Sequence, residues 1–175
     1  MVQAVLRHAG GIRIDHVMGL SRLWWVPAGL GPTNGTYVAY DRDALLGVLA
    51  LEAHRAGAVV IGEDLGTVEP AVRTSLDASG VMGSDVLWFQ SSDGWYTAPS
   101  TWRSEALATV TTHDLPTAAG WLAGEGVALR ASLDQLTRPV AEERAAWERE
   151  KHMLLAMLEH EGLLDDDVVL SLHRA

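Results

Sequence analysis

Three carboxylates in this sequence stand where short apolar runs end. Asp15 closes Gly11-Ile12-Arg13-Ile14-Asp15, Glu63 follows Ala58-Val59-Val60-Ile61-Gly62, and Asp114 follows Leu107-Ala108-Thr109-Val110-Thr111 by way of His113. Arg13 and Asp15 are two apart, so on a strand both side chains point to one face. A fixed guanidinium keeps its neighbouring carboxylate ionised and aimed, as a nucleophilic or charge-stabilising group requires. The plainer alternative is an ordinary ion pair at a strand end. A carboxyl emerging from an apolar strand, like Glu63, is partly desolvated, which favours the protonated form and suits a general acid. Here the plainer alternative is a loop-facing glutamate beside Asp64 as a helix cap. Asp114 could likewise cap the helix that Pro116 begins. Repetition of one pattern at three strand ends outweighs these separate readings. Cleavage of a glycosidic bond asks for one carboxylate at the oxocarbenium centre and one acid on the leaving oxygen. A third carboxylate can hold sugar hydroxyls and favour ring distortion.

The elements that must position these groups follow in order along the chain. Val2 to Ala9 reads as a helix stopped by Gly10 and Gly11. The Pro/Gly-rich stretch Val26 to Gly35 reads as loop. Asp41 or Asp43 can cap a helix carrying Leu45, Leu46, Leu49 and Ala53 at helical spacing, with Gly57 as its stop. Ala58 to Gly62 is a continuous apolar run, expected of a parallel strand buried on both faces. Pro70 suits the first turn of a helix that Gly80 ends. Val86-Leu87-Trp88-Phe89 reads as a third strand and Leu107 to Thr111 as a fourth. Beyond Gly126 the pattern is helical, with Pro139 at one start and Gly162 at the stop of a long charged helix. Its stripe is Leu154, Met157 and Leu158, while Glu142, Glu143, Arg144, Glu148, Arg149, Glu150 and Lys151 read as a solvated face.

Strand, loop and helix in repetition predict an α/β fold with a parallel sheet. Acidic strand ends gathered at one centre favour a closed barrel over an open doubly wound sheet, which would more often carry a Gly-rich phosphate turn. No GxGxxG is present. A complete (β/α)₈ TIM barrel needs about 250 residues and eight strands. The reading is therefore part of such a barrel, about four of its strands over residues 1–125. A helical C-terminal extension over 126–175 packs on the barrel or is inserted in it.

Composition narrows the partners. The formal net charge of −10 repels phosphate backbones and disfavours nucleic acid, whereas a neutral polyhydroxylated ligand meets no such penalty. With no cysteine, disulfides and thiolate metal sites are excluded. No apolar run has the length of a membrane span, and the first residues lack the order of a signal peptide, so no membrane association and a cytoplasmic location are expected. Seven tryptophans against one phenylalanine give flat apolar faces with an N–H donor, suited to sugar rings, although core packing is the commoner use of any one of them. His160-Glu161 with Asp165-Asp166-Asp167 is read as solvated loop, not a metal site.

Three segments in this order resemble the 4-α-glucanotransferases, the amylomaltases or disproportionating enzymes. They are Gly11-Ile12-Arg13-Ile14-Asp15-His16-Val17-Met18-Gly19-Leu20, Ile61-Gly62-Glu63-Asp64-Leu65-Gly66-Thr67-Val68 and Thr111-Thr112-His113-Asp114-Leu115-Pro116-Thr117. The loop Gly35-Thr36-Tyr37-Val38-Ala39-Tyr40 resembles that family too. The resemblance implies that Asp15 is the nucleophile, Glu63 the general acid/base and Asp114 the transition-state stabiliser. It further implies that Arg13 orients Asp15 and that His16 and His113 hydrogen-bond the sugar. Asp93, in a Ser/Gly-rich loop, is a further candidate sugar contact. The implied reaction retains anomeric configuration and moves an α-1,4-glucan segment to the 4-hydroxyl of glucose or a maltooligosaccharide, without cofactor or metal. Nothing in the sequence sets an oligomeric state.

The family's members are far longer, and the resemblance implies that the first three strand–helix units and the final strand have no counterpart here. The alternatives are an α-glucan hydrolase of the α-amylase type, or an inactive truncated fragment that at most binds glucan. Open sheet edges destabilise, so the isolated chain is expected to be poorly stable and inactive. A cooperative thermal transition together with measurable disproportionation of maltotriose would contradict that.

Overall fold

The computed structural model describes residues 1–92 and 94–164. They fall into two units, one of Met1–Asp85 with Arg103–Leu107, the other of Val86–Trp102 with the chain from Ala108 onward. In the first unit, α1 (Val2–Leu6) leads into β1 (Gly11–Ile14), and β2 (Arg22–Trp25) pairs antiparallel with β3 (Thr36–Ala39). Then come α2 (Arg42–Ala56), β4 (Val59–Gly62), α3 (Pro70–Ala78) and β5 (Val81–Val86). Asp41 caps α2 by accepting from the Ala44 N–H at 3.1 Å, and Gly57 ends it in the left-handed region at φ +60°. Pro70 occupies the first turn of α3, where its missing N–H costs nothing.

Both helices serve as crossovers between parallel strands. β1 lies beside β4 with Gly11 opposite Val59 and Ile14 opposite Gly62, and β4 lies beside β5 with Val60 opposite Val81. The sheet order is β1-β4-β5-β8, where β8 is Ala106–Thr109. Within the first unit the last edge is met just before β8, where the Gly83 N–H donates to the Glu105 carbonyl at 2.9 Å.

Alternation decides which side chains make the core. Ile12, Ile14 and Val60 face the helices and pack with Leu6, Val17, Leu46, Leu49, Ala53, Val72, Leu76 and Val81. Val59, one residue out of phase with Val60, is 49% exposed against 3%. The apolar run of β4 predicted burial on both faces; the helix layer of this unit covers one.

The third strand lies earlier than the sequence predicts. It runs over Val81–Val86, and Leu87–Phe89 is a turn of 3₁₀ helix. Gly83, Ser84 and Asp85 carry turn chemistry in isolation, and it is their tertiary partners that make them strand. The segment 35–40 also departs from its loop reading, because Thr36–Ala39 pairs with Arg22–Trp25. Gly35 is required there, since a Cβ would lie 2.3 Å from the Trp24 Nε1. The fourth strand is shifted by one to two residues, to Ala106–Thr109.

The second unit contains the two-residue strands β6 (Ser91–Ser92) and β7 (Trp95–Tyr96), paired antiparallel. Its helices are α4 (Ala118–Leu122), α5 (Glu125–Ser132) and α6 (Val140–His160). The expected stripe of α6 is present: Leu154 and Met157 are buried with Tyr96, and Leu158, Trp88 and Trp121 pack against them. The indoles of Trp88 and Trp121 stack at 4.4 Å. Glu143 corrects the solvated-face reading. It is 7% exposed, with Arg138 at 3.0 Å and Arg130 at 3.5 Å.

Leu49 is 2% exposed and Leu45 41%. Leu49→Ala should therefore cost about 2–5 kcal/mol, and Leu45→Ala no more than about 0.5 kcal/mol. Urea unfolding at low temperature, followed by tryptophan fluorescence, separates the two; equal shifts would contradict the assignment of the buried face.

Candidate active site

The register of β1 on β4 ends with Ile14 opposite Gly62, so the next residues, Asp15 and Glu63, leave the sheet side by side at its carboxyl edge. The main-chain ladder continues past the strands. The Glu63 N–H donates to the Ile14 carbonyl at 2.8 Å, and the Val17 N–H donates to the Glu63 carbonyl at 3.0 Å. Between them, His16 adopts φ +46° and ψ +61°. Few residues other than glycine take up this left-handed conformation, and histidine is among those enriched in it.

That turn aims a donor. The His16 N–H reaches Glu63 Oε2 at 2.8 Å, and the Leu65 N–H reaches Oε1 at 2.8 Å. Each oxygen of a half-buried carboxylate thus accepts one main-chain N–H. The sequence predicted an apolar setting for Glu63; the strand before it is apolar, but the turns after β1 and β4 bring free N–H groups to it. Beside it, Arg13 Nη1 donates to Asp15 Oδ1 at 2.7 Å, on the shared face that the two-residue spacing predicts. The Asp15 side chain is 56% exposed. Gly62 has no room for a side chain, since a Cβ would lie within 3.0 Å of the buried Val17.

Asp64 is not a helix cap. The N-cap of α3 is Glu69, and Asp64 is 4% exposed. Its Oδ1 accepts from the Ser84 N–H at 2.9 Å, and Arg103 grips both its oxygens, at 2.6 and 3.1 Å. The same guanidinium donates to Asp85 Oδ1 from Nε at 2.9 Å and from Nη2 at 2.7 Å. Arg103 lies against Gly83, where a Cβ would approach Nη1 to 2.4 Å. Burial alone would raise the Asp64 carboxyl. The Arg103 and Ser84 hydrogen bonds and the charges of Arg103 and Arg73 outweigh it, so the carboxyl sits below its ordinary range. Hydrogen bonding to Asp64 pushes the Arg103 guanidinium up against its own burial. Sequence reasoning missed Arg103, which lies in an irregular stretch 39 residues from Asp64. The available signal was two buried acids, Asp64 just past the end of β4 and Asp85 within β5, which together demand a cation.

Still in the first unit, His16, Arg22, Tyr37, Tyr40, Leu65 and Thr67 are among the residues lining a cavity of about 540 Å³. Arg22 stands 4.2 Å over the Tyr37 ring and pairs with Glu69 at 2.8 Å. Trp25 Nε1 donates to the Tyr40 hydroxyl at 2.9 Å. The structure therefore brings Arg13, Asp15, His16 and Glu63 together around one strand edge.

In the second unit His113 and Asp114 are exposed neighbours, with Nε2 and Oδ2 3.4 Å apart. The cap of α4 is Thr117, whose hydroxyl accepts from the Gly120 N–H at 3.1 Å, so Asp114 has no capping duty there. Asp93, Asp165, Asp166 and Asp167 lie outside the described residues. Among the described residues no helix is long and apolar enough to cross a membrane.

The sequence model of the 4-alpha-glucanotransferase family matches residues 1–175. The 4-alpha-glucanotransferase of Mycobacterium tuberculosis is 50% identical over 186 residues, covering 99% of this chain and 26% of its own. That of Haemophilus influenzae is 43% identical over 116 residues, covering 66% of this chain and 17% of its own. Among solved structures, amylomaltase from Corynebacterium glutamicum superposes with a TM-score of 0.88 at 46% identity, over 97% of this chain and 24% of that one. Amylomaltase from Streptococcus agalactiae in complex with acarbose shares the fold, with a TM-score of 0.58 at 19% identity over 90% of this chain and 31% of that one. The chain thus spans about a quarter of the length of the curated relatives it matches first. Its four-stranded parallel sheet matches a section of an amylomaltase barrel, as the strand–helix order predicted.

A carboxyl held below its unfolded value stabilises the fold above the ordinary carboxylate range and loses that contribution as pH falls through the lowered native value. For Asp64 the loss should set in below about pH 4. Unfolding free energy followed from pH 5 downward should fall for the parent chain and fall less steeply for Asp64→Asn. Parallel curves would contradict the pairing.

Proposed function

The chain belongs to the 4-alpha-glucanotransferase family, and on that footing we propose that it supplies the nucleophile and the acid/base of a retaining transfer between α-1,4-glucans. The observation that carries this reading is the emergence of Asp15 and Glu63 from adjacent parallel strands, one held by Arg13 and the other by two main-chain donors.

In the first half-reaction an Asp15 oxygen attacks the anomeric carbon. The bond to the leaving 4-oxygen breaks, and Glu63 gives its proton to that oxygen. Arg13, 2.7 Å from Asp15, keeps that carboxylate aimed, which suits a nucleophile. In the second half-reaction the 4-hydroxyl of an acceptor glucose or maltooligosaccharide loses its proton to Glu63. Its oxygen displaces Asp15, restoring the original configuration. The proton that Glu63 lent returns to it, so the cycle needs no cofactor. Asp114 is assigned to the hydroxyls of the distorted sugar, with His16 and His113 as hydrogen-bond partners. The exposed carboxylate of Asp114, free of capping duty, and the cavity beside His16 support these roles. Residues 1–125 carry this chemistry as part of the barrel, and a helical segment follows them along the chain. A cytoplasmic setting is part of the same proposal.

The test is a hybrid in which this chain replaces the matching 24% of the Corynebacterium glutamicum amylomaltase. Maltotriose should yield glucose together with oligosaccharides longer than the substrate; shorter sugars alone would identify hydrolysis and overturn the transfer reading. Asp15→Asn and Glu63→Gln should each lower kcat by about a thousandfold or more. Near-normal turnover by either variant refutes its role.

A further inference from the structure

We propose that Arg103 is a positioning residue for Glu63, acting through Asp64; the inference rests on the acid/base reading of Glu63. The two residues flanking Glu63 are both tied to β5. The Ser84 hydroxyl donates to the Gly62 carbonyl at 3.2 Å, and the Ser84 N–H donates to the Asp64 carboxylate at 2.9 Å. Arg103 completes the tie. Its Nη1 and Nη2 hold the two Asp64 oxygens at 2.6 and 3.1 Å, while Nη2 also donates to the Ser84 carbonyl at 2.9 Å and to Asp85 at 2.7 Å.

The donor to Glu63 Oε1 is the N–H of Leu65, the residue directly after the clamped Asp64. If Asp64 swings free, that N–H moves with it, and Glu63 loses one of the two hydrogen bonds that fix its direction. A proton donor has to lie within hydrogen-bond reach of the leaving oxygen, and displacement by about 1 Å can cost about a hundredfold in rate. Only a guanidinium meets the geometry. Its planar fork spans two carboxylates and a carbonyl, whereas an ammonium presents a single point of charge, and the missing side chain of Gly83 leaves room for a flat group.

A donor with a good leaving group separates positioning from general structural damage. Fluoride departs as an anion from α-maltosyl fluoride without a proton from Glu63, and azide attacks the glycosyl–Asp15 intermediate without giving one up. In the hybrid enzyme, Arg103→Lys should lower kcat for maltotriose by about 10–100-fold with KM changed less than about threefold. Its turnover of α-maltosyl fluoride with azide should stay within about threefold of the parent. Asp64→Asn, close in shape to the original, should give the same pattern and serves if Arg103→Lys fails to fold. Equal losses on both donors would make the clamp merely structural and overturn the proposal, as would normal maltotriose turnover. Glu63→Gln is measured in parallel. If it shows no relief with the fluoride donor and azide, the acid/base reading itself fails; if it does and the Arg103 and Asp64 variants do not, only this inference falls.

Discussion

Two buried carboxylates repel each other and resist losing water, so Asp64 and Asp85 could not share one unit without a cation between them. Arg103 is that cation, and its position dictates what surrounds it. The strand facing it has to carry glycine at 83, because any Cβ there would collide with the guanidinium. Ser84 then turns its N–H to Asp64 and its hydroxyl to Gly62, knitting β5 to the end of β4 by side chain as well as by main chain. An interaction that does no chemistry thereby determines how the polypeptide leaves β4. The direction of Glu63 follows from that exit.

A second constraint comes from the opposite side. Val17 is 1% exposed and sits where a side chain at residue 62 would be, so Gly62 and Val17 share one space. The Val17 N–H bonds the Glu63 carbonyl, and the His16 N–H bonds its carboxylate. The turn after β1 and the turn after β4 are thus built as one piece. Asp15 begins the first turn and Glu63 begins the second, which is how two acids 48 positions apart acquire a fixed relation.

Much of this was legible in the residues themselves. Apolar runs ending in acids gave β1 and β4, the Arg13–Asp15 spacing gave their shared face, and Asp41, Gly57, Pro70, Pro139 and Gly162 marked helix ends through local backbone chemistry. What stayed hidden was long-range. Val81–Val86 looks like a turn because Gly83, Ser84 and Asp85 favour turns until Arg103 arrives from a distant, irregular segment. The strand Thr36–Ala39 is only four residues long, follows a Pro/Gly-rich loop and gains its identity from pairing with Arg22–Trp25. Glu143 looked solvated among its charged neighbours on α6, and only Arg130 and Arg138, outside that helix, make its burial tolerable. In each case local propensity lost to a partner that no window of sequence contains.

The left-handed backbone of His16 gives that residue two separable identities. Its N–H serves Glu63, and depends only on the chain holding φ +46°. Its imidazole, exposed at the cavity wall, is a different instrument altogether. Replacement by alanine would disturb both at once, since alanine resists this conformation, whereas glycine or asparagine accepts it. Substitution at position 16 is therefore a question about backbone tolerance before it is a question about the ring, and the two answers come apart only when the replacement is chosen for its φ.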